Sequence, residues 1–454
     1  MNVATTNNAD RKRAFGEPIA EDKQFDPWRV PASPAMAGVV ASIIADLAEL
    51  ERIPGPHKRD RKRRATDQAS HEATVAALVC DLAYRHLTGH AFAVFVSRSK
   101  ETLSAKSRYK APALTSKLPA VLDALTDVGL IRQDKAKAGE DIGRRQTTIQ
   151  ATPKLTSRLA GMDVWGDIKR GGRPESIVLR GPKNEDEYDP ETGPDIGYAD
   201  TSTTDSYRAE MDAINDWLES ADINFDESVL PDGDALPDVS RRRLYRVFTN
   251  GSFESGGRMA GGFWMNRKAK LRLAGLIIGG ETVASIDFGQ IGPRILYRLA
   301  GHEAPEGDLY AIPGLANWRG GVKTVINAAM NSAKTMIRKP MNTTDTLPRD
   351  WTFGDVMRAI EATHRPIVGQ FYRGVGHSVS LMESNIAVKT LLDLKEAGIV
   401  ALPVHDEFLV PRSKAKTTAD IMKAAYADVM AGGSIPVSGE EWSVSQEAIV
   451  PMSL

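Results

Sequence analysis

Apolar residues recur at helical spacing in the first third of the chain. Val39, Val40, Ile43, Ile44, Leu47 and Leu50 form one stripe, which ends near the helix-breaking Pro54-Gly55-Pro56. Val75, Leu78, Val79, Leu82 and Leu87 mark a second helix. A third is predicted over Leu114 to Leu130, with Leu118, Val121, Leu122 and Leu125 on one face. Its end, Asp127-Val128-Gly129-Leu130-Ile131, supplies a glycine stop that leads into a strand. A charged, turn-rich stretch from Asp134 to Gly143 follows, and Thr147-Thr148-Ile149-Gln150-Ala151 then alternates as a strand does. Met211, Ile214, Trp217, Leu218 and Ile223 suggest the helix that opens the last domain. Two later runs have strand character: Ala284-Ser285-Ile286-Asp287-Phe288-Gly289-Gln290 and Pro403-Val404-His405-Asp406-Glu407-Phe408-Leu409. Each lifts a carboxylate out of apolar surroundings.

These patterns divide the chain. Residues 1–34 are polar and proline-punctuated and are expected to be disordered; 35–69 hold a helix and a basic linker; 70–155 form a small domain; 156–205 read as linker; 206–454 form the last domain. The helix, glycine and hairpin of the small domain resemble a winged helix-turn-helix. The resemblance implies that its second helix is offered to the DNA major groove, with Arg108, Lys110 and Lys117 near it and Arg144 and Arg145 on the wing. A winged fold used only for protein contacts is the alternative. Asp189-Pro190-Glu191 has the spacing of a proofreading exonuclease motif but lacks the apolar strand such a motif needs, and reads as linker.

Composition narrows the function classes. A chain of 454 residues can bury two or more cores. Lys+Arg 58 against Asp+Glu 59 leaves almost no net charge, so any nucleic-acid surface is local. The run Lys58-Arg59-Asp60-Arg61-Lys62-Arg63-Arg64 is either a solvated segment or a phosphate-binding arm. A single cysteine, Cys80, excludes an intramolecular disulfide and a cysteine-rich zinc site. No secretory signal is evident, and Val39 to Leu50 is too short to span a bilayer and carries Asp46 and Glu49. A cytoplasmic protein with no membrane partner is expected.

Asp287 and Asp406 are far apart in sequence and meet only if strands from both segments lie side by side. Two carboxylates brought together there are what a two-metal phosphoryl-transfer site requires, holding two magnesium ions. Between them, Arg319 and Lys323 are four positions apart, so on a helix both cations point one way and can grip a triphosphate. A solvated helix face for the cations, and a capping or ion-pair role for the aspartates, are the structural alternatives.

At these segments the chain resembles the family A DNA polymerases, the bacterial DNA polymerase I type. Asp287-Phe288-Gly289-Gln290-Ile291-Gly292-Pro293-Arg294 is similar to motif A, D-Y-S-Q-I-E-x-R. Arg319 and Lys323 match the first cations of the motif B helix, and Val404-His405-Asp406-Glu407 matches motif C, V-H-D-E. Gly256-Gly257-Arg258-Met259 with Arg272 resembles a segment that contacts the primer-template. The resemblance covers about 240–412, and 173–454 more loosely. It implies an α+β fold, a palm sheet with helical fingers, beside the small winged domain. It also implies that Asp287 and Asp406 are the metal ligands and that Lys323 binds the triphosphate and protonates the leaving pyrophosphate. Arg319, Gln290, Gly292, Asn327 and Asn331 would face the nucleotide. Arg258, Arg272, Arg294, His405 and Glu407 would face the primer-template or support the site beside it.

The departures bear on the substrate. Gly292 stands where the family has the glutamate that crowds the sugar 2′ position; Asn327, Asn331 and Ser332 stand where motif B has an aromatic, a tyrosine and a glycine. Loss of the glutamate and its tyrosine partner predicts open space beside the sugar and weakened discrimination against ribonucleotides. The interval between motifs A and C is short, and no thumb or proofreading module is legible. The expectation is therefore a template-directed DNA polymerase that extends a primer 3′-hydroxyl with Mg²⁺, Mn²⁺ being an alternative ion. Its partners would be a DNA primer-template and nucleoside triphosphates, its task DNA replication, repair or copying of a mobile element. A primase or RNA polymerase-like enzyme, or a non-catalytic DNA-binding regulator, are the other readings.

Overall fold

A computed structural model describes residues 23–89, 93–135, 147–173, 175–182, 193–231, 234, 236–341, 343 and 345–454. Arg144, Arg145, Asp189, Glu191 and the first 22 residues lie outside the described residues. The chain divides into two compact units, Met1–Pro174 and Glu175–Leu454. The fold is mixed α+β.

In the first unit, strands β1 (Lys23–Gln24) and β2 (Arg29–Pro31) precede α1 (Pro34–Leu50) and α2 (Ala65–Leu87). Ser33 caps α1 by accepting from the Met36 N–H at 3.1 Å, and proline at the first helical position costs nothing there. Then come β3 (Val94–Val96), α3 (Lys100–Ser104), α4 (Leu118–Asp127), β4 (Ile131–Asp134) and β5 (Thr147–Ala151). The sheet runs β1-β3-β5-β4, antiparallel except for the β1–β3 pair. Leu118, Val121, Leu122 and Leu125 face the core, as their spacing predicts. After α5 (Pro153–Thr156) and α6 (Val164–Asp167), β6 (Ile168–Arg170) pairs with β2. Strands thus occur inside 1–34 and 156–205, which were expected as tail and linker. Strands of two or three residues are too short to show alternation in a sequence.

Asp81 on α2 is wholly buried between Arg29, at 3.3 Å, and Arg85, at 3.4 Å, while Arg29 stacks over the Tyr84 ring at 3.3 Å. Burial pushes the Asp81 carboxyl up to about 6, and the two guanidiniums oppose that rise. Asp81→Ala leaves cations without their buried partner. It is expected to destabilise this unit by about 3–5 kcal/mol in denaturant unfolding.

The second unit begins with β7 (Ile177–Leu179), α7 (Ser202–Ser220), β8 (Ile223–Phe225), β9 (Tyr245–Phe248) and β10 (Gly256–Ala260). It continues through α8 (Ala269–Gly275), β11 (Leu276–Ile278), β12 (Glu281–Phe288), α9 (Ile291–Leu299), α10 (Arg319–Asn331), α11 (Phe353–Thr363) and α12 (Gly376–Glu396). The last elements are β13 (Leu402–Val404), β14 (Glu407–Pro411), α13 (Ala415–Val429), β15 (Val437–Ser443) and β16 (Ala448–Met452). The main sheet orders β13-β14-β12-β11-β8, and β15 also pairs with β12 and carries β16. Every pairing in it is antiparallel. Strand alternation sends Ala284, Ile286 and Phe288 of β12 to one face and Ser285 and Asp287 to the other. The Phe288 and Phe408 rings meet edge to face at 6.2 Å in the core. No helix among the described residues is long and apolar enough to cross a membrane.

Candidate active site

Two strands bring the distant aspartates to one place. Asp287, near the end of β12, pairs with Glu407 of β14 and Ser438 of β15. The β13–β14 hairpin turns through His405 and Asp406, and the Asp406 carbonyl accepts from the Phe288 N–H at 3.4 Å. The turn is locally strained. His405 has φ 61° and Gln290, just past Asp287, has φ 57°, both in the left-handed region that side chains avoid at a cost of about 1 kcal/mol or more. Trp264, fully buried, anchors the hairpin by donating its indole N–H to the Pro403 carbonyl at 2.9 Å.

Both aspartates line a cleft of about 680 Å³. Burial pushes the Asp287 carboxyl up to about 8; the charges of Asp406, Glu407 and Glu440 add to the rise, and Lys323 opposes it. Glu407 is held aside by Arg272 at 2.9 Å and Ser285 at 2.8 Å. Arg272 is nearly buried and also donates to the Arg267 carbonyl at 2.6 Å, so it braces Glu407 rather than offering a surface to a primer-template.

Helix α10 forms the facing wall. Arg319, Lys323, Asn327 and Asn331 repeat every four residues and all line the cleft, while Val322, Val325, Ile326 and Ala329 hold the helix to the core. Arg319 is paired with Asp308 at 2.6 Å and lies over the Tyr310 ring at 5.2 Å. This pair is half-exposed and therefore weak, so an incoming phosphate can displace it. Asn331 donates to the Asn327 carbonyl at 2.8 Å and packs against Gly376.

Gln290 lines the cleft, but its side-chain oxygen is engaged by the Leu309 N–H at 2.8 Å. Arg294 is buried and donates to the Gly289 carbonyl at 3.3 Å and the Gly307 carbonyl at 3.0 Å. Both hold the loop that bears Asp308 and Tyr310, and Arg294 is too enclosed for a direct primer-template contact. His364 supports the same loop, with Nδ1 2.8 Å from the Tyr297 hydroxyl and Nε2 2.8 Å from the Leu309 carbonyl.

Arg258 does reach the cleft. It follows Gly256 and Gly257, which have φ 81° and 86° and form a bulge in the β9–β10 pairing. The Gly257 carbonyl takes hydrogen bonds from Arg246 Nε at 3.1 Å and from the Ser384 hydroxyl, which clamps the bulge to α12. Arg258 then pairs with Glu383 of α12 at 2.8 Å. His405 is exposed beside it.

Gly292 lines the cleft beside Met330, Val379 and Glu383. A Cβ built there would lie 3.5 Å from Met330 Cε, 3.6 Å from Glu383 Oε1 and 3.9 Å from Val379 Cγ1, all ordinary contact distances. Side chains from α10 and α12 thus border Gly292 at the wall of the cleft. Asp308, Tyr310, Glu383 and Ser438 were not legible as site residues, because each enters from a segment with no local signature.

In the first unit, the cations expected near the second winged helix are partly committed. Lys117 is paired with Asp67, Lys110 donates to the Leu103 and Ala105 carbonyls at the end of α3, and Arg108 is half-buried. In the basic run, Arg63 binds Glu51 through Nη1 at 2.7 Å and Lys58 pairs with Asp60 at 3.0 Å.

No protein-family model matches this chain, and no curated protein does. Among solved structures it is similar to the POL domain of Pol1 from M. smegmatis, in a complex with DNA primer-template and dNTP. Identity is 9%, the TM-score is 0.28, and the match covers 92% of this chain and 66% of that one.

Proposed function

We propose that the second unit is a template-directed nucleotidyltransferase that extends a primer 3′-hydroxyl. The observation that carries this reading is the convergence of Asp287 and Asp406 on one cleft, opposite two cations spaced one helical turn apart on α10. A purely structural site has little use for a half-buried carboxylate raised first by burial and then by a second carboxylate beside it. Nor does it leave lysine and arginine facing that pair across open space.

The donor set fits a hard divalent cation such as Mg²⁺. Among the described residues no cluster of three or more His, Cys, Asp or Glu is placed to hold a metal. Mg²⁺, however, is commonly held by one or two carboxylates with water and substrate phosphate completing its shell. Asp287 and Asp406 would hold it, and such a charge would offset both the burial and the repulsion from Asp406 that raise Asp287. Bound there, two ions would supply acidity to the attacking hydroxyl and offset charge on the departing pyrophosphate. Lys323 binds the β- and γ-phosphates and gives a proton to the pyrophosphate oxygen as the α-phosphorus bond to it breaks. Arg319 leaves Asp308 to hold the same phosphates. The incoming nucleotide thereby lies between α10 and the strand ends, with its α-phosphorus near the carboxylates.

For the first unit, the order α2-β3-α3-α4-β4-β5 and the β3–β5–β4 pairing support a winged-helix reading. The α4 helix itself carries no cation, and Asp123 on it is bound by Arg98 and Lys135. Any duplex contact by this unit rests on residues flanking α4.

Single-nucleotide addition to a labelled primer, tried opposite each of the four template bases, tests the function. Addition of only the complementary nucleotide is expected. Untemplated addition, or none with either Mg²⁺ or Mn²⁺, contradicts it.

A further inference from the structure

We propose that the basic run at 58–64 is a nucleic-acid contact surface, holding duplex DNA by its backbone phosphates without reading the sequence. The proposal concerns the first unit alone and does not depend on the chemistry of the cleft.

A merely solvated charge run has no need of anchors, and this one is fastened along its length. Arg63 donates to both carboxylate oxygens of Glu51, from Nη1 at 2.7 Å, and the Glu51 carbonyl accepts from the Arg59 N–H at 2.9 Å. His57 Nε2 lies 2.8 Å from the carboxylate of Asp127, the last residue of α4. Lys117, which immediately precedes α4, is paired with Asp67 in the first turn of α2. The segment between His57 and Asp67 therefore runs past α4 from its last residue back to its start. For the ten residues of α4 that is about 15 Å.

The anchoring uses up the nearby carboxylates. Glu51 is taken by Arg63, with Arg59 at 3.9 Å; Asp60 is taken by Lys58 at 3.0 Å, and Asp67 by Lys117. Arg61, Lys62 and Arg64 are exposed, and among the described residues no carboxylate forms an ion pair with them. Outside a helix, four consecutive positions reach about 10 Å, which matches about three phosphates along one DNA strand. Helix α2 begins directly after Arg64 without a side-chain cap, so its first N–H groups add positive potential at the same place.

Helix α4 cannot supply these contacts itself. It turns Ala120 and Asp127 to solvent, with Asp123 half-buried, and it carries no cation. The pinned segment beside it provides the charge that the helix lacks, and long side chains on irregular backbone grip phosphates rather than base edges. A lipid surface would need apolar anchors beside the cations. Ile53 is the one large apolar side chain exposed among the described residues of this unit.

The test compares the full chain as wild type, as Arg61→Gln/Lys62→Gln/Arg64→Gln, and as Lys414→Gln/Lys416→Gln/Lys423→Gln. The last removes the same charge from exposed positions on or just before α13. Thermal melting checks that all three fold. Fluorescence anisotropy in EDTA reads binding of labelled blunt DNA duplexes of two unrelated sequences across a salt series. The first variant is expected to bind both duplexes about 10-fold or more weakly, with the slope of log K against log[salt] reduced by about 2–3. The α13 variant is expected to match the wild type. Repeating the comparison in an Arg258→Ala/Lys323→Ala background keeps any grip by the cleft from masking the loss. An unchanged slope in both backgrounds overturns the proposal. So does an equal loss in the α13 variant, which would make the effect one of net charge, and so does a loss on one duplex sequence alone. Binding of the wild type to phosphatidylserine–phosphatidylcholine vesicles that the first variant loses, with duplex affinity unmoved, would assign the run to a membrane and overturn it too.

Discussion

An Asp287→Asn variant is expected to lose nucleotide incorporation by a factor on the order of 10³ or more, yet to melt above the wild type in metal-free buffer. Both effects have one cause. Asp287 is half-buried beside Asp406, Glu407 and Glu440, and burial first and those charges second push its carboxyl up to about 8 from an ordinary value of 3.8. Between those values the folded protein holds a proton that the unfolded chain has lost. Stability of the metal-free protein therefore falls as pH rises from about 4 to about 8, and asparagine removes that loss. The gain should grow across this window and level off above it. It reaches about 2–4 kcal/mol, less than the full shift implies because the side chain is partly open to solvent. For a unit of this size each kcal/mol moves Tm by about 2 °C. Thermal melts of both proteins in EDTA at pH 5 and pH 8.5 check it. A variant that melts below wild type at pH 8.5 would mean that Asp287 is a satisfied structural carboxylate. By the same logic, the affinity of the wild type for Mg²⁺ should rise with pH up to about 8, because the ion must displace the proton.

Lys323→Ala is expected to lower incorporation by about 10²–10³, in both kcat and KM, with little change in stability. The side chain is exposed and lines the cleft one helical turn after Arg319, so no packing is lost with it. Lys323→Arg should restore much of the KM but not kcat, because a guanidinium binds phosphate yet does not release a proton near neutral pH. Arg319→Ala should cost less than Lys323→Ala, since Asp308 already competes for that guanidinium. Steady-state kinetics of the three variants separate these outcomes. Near-wild-type kinetics in Lys323→Ala would reduce the α10 cations to a solvated helix face.

The sequence made the long elements and the two carboxylate strands legible for physical reasons. Leu118, Val121, Leu122 and Leu125 share a face by period alone, and β12 and the β13–β14 hairpin are apolar runs broken by a single charge. What stayed hidden was contact between distant segments. Arg272, expected to face the primer-template, and Arg294, expected to face it or support the site, are drawn inward by carbonyls at Arg267 and Gly307 and by the Glu407 carboxylate. Nothing near Glu383 in the chain points to Gly292, so the approach of α12 to the strand-to-helix turn was not legible. The two- and three-residue strands at 23–31 and 168–170 gave no period to detect.

The most direct test of the central claim is release of pyrophosphate during extension of a DNA primer-template with Mg²⁺, compared between wild type and Asp406→Asn. This substitution keeps the turn's shape and removes only the charge. The account predicts pyrophosphate equal to nucleotides added by the wild type, and neither product above background from the variant. Equal activity in the two proteins would show that the paired carboxylates are not the reacting centre.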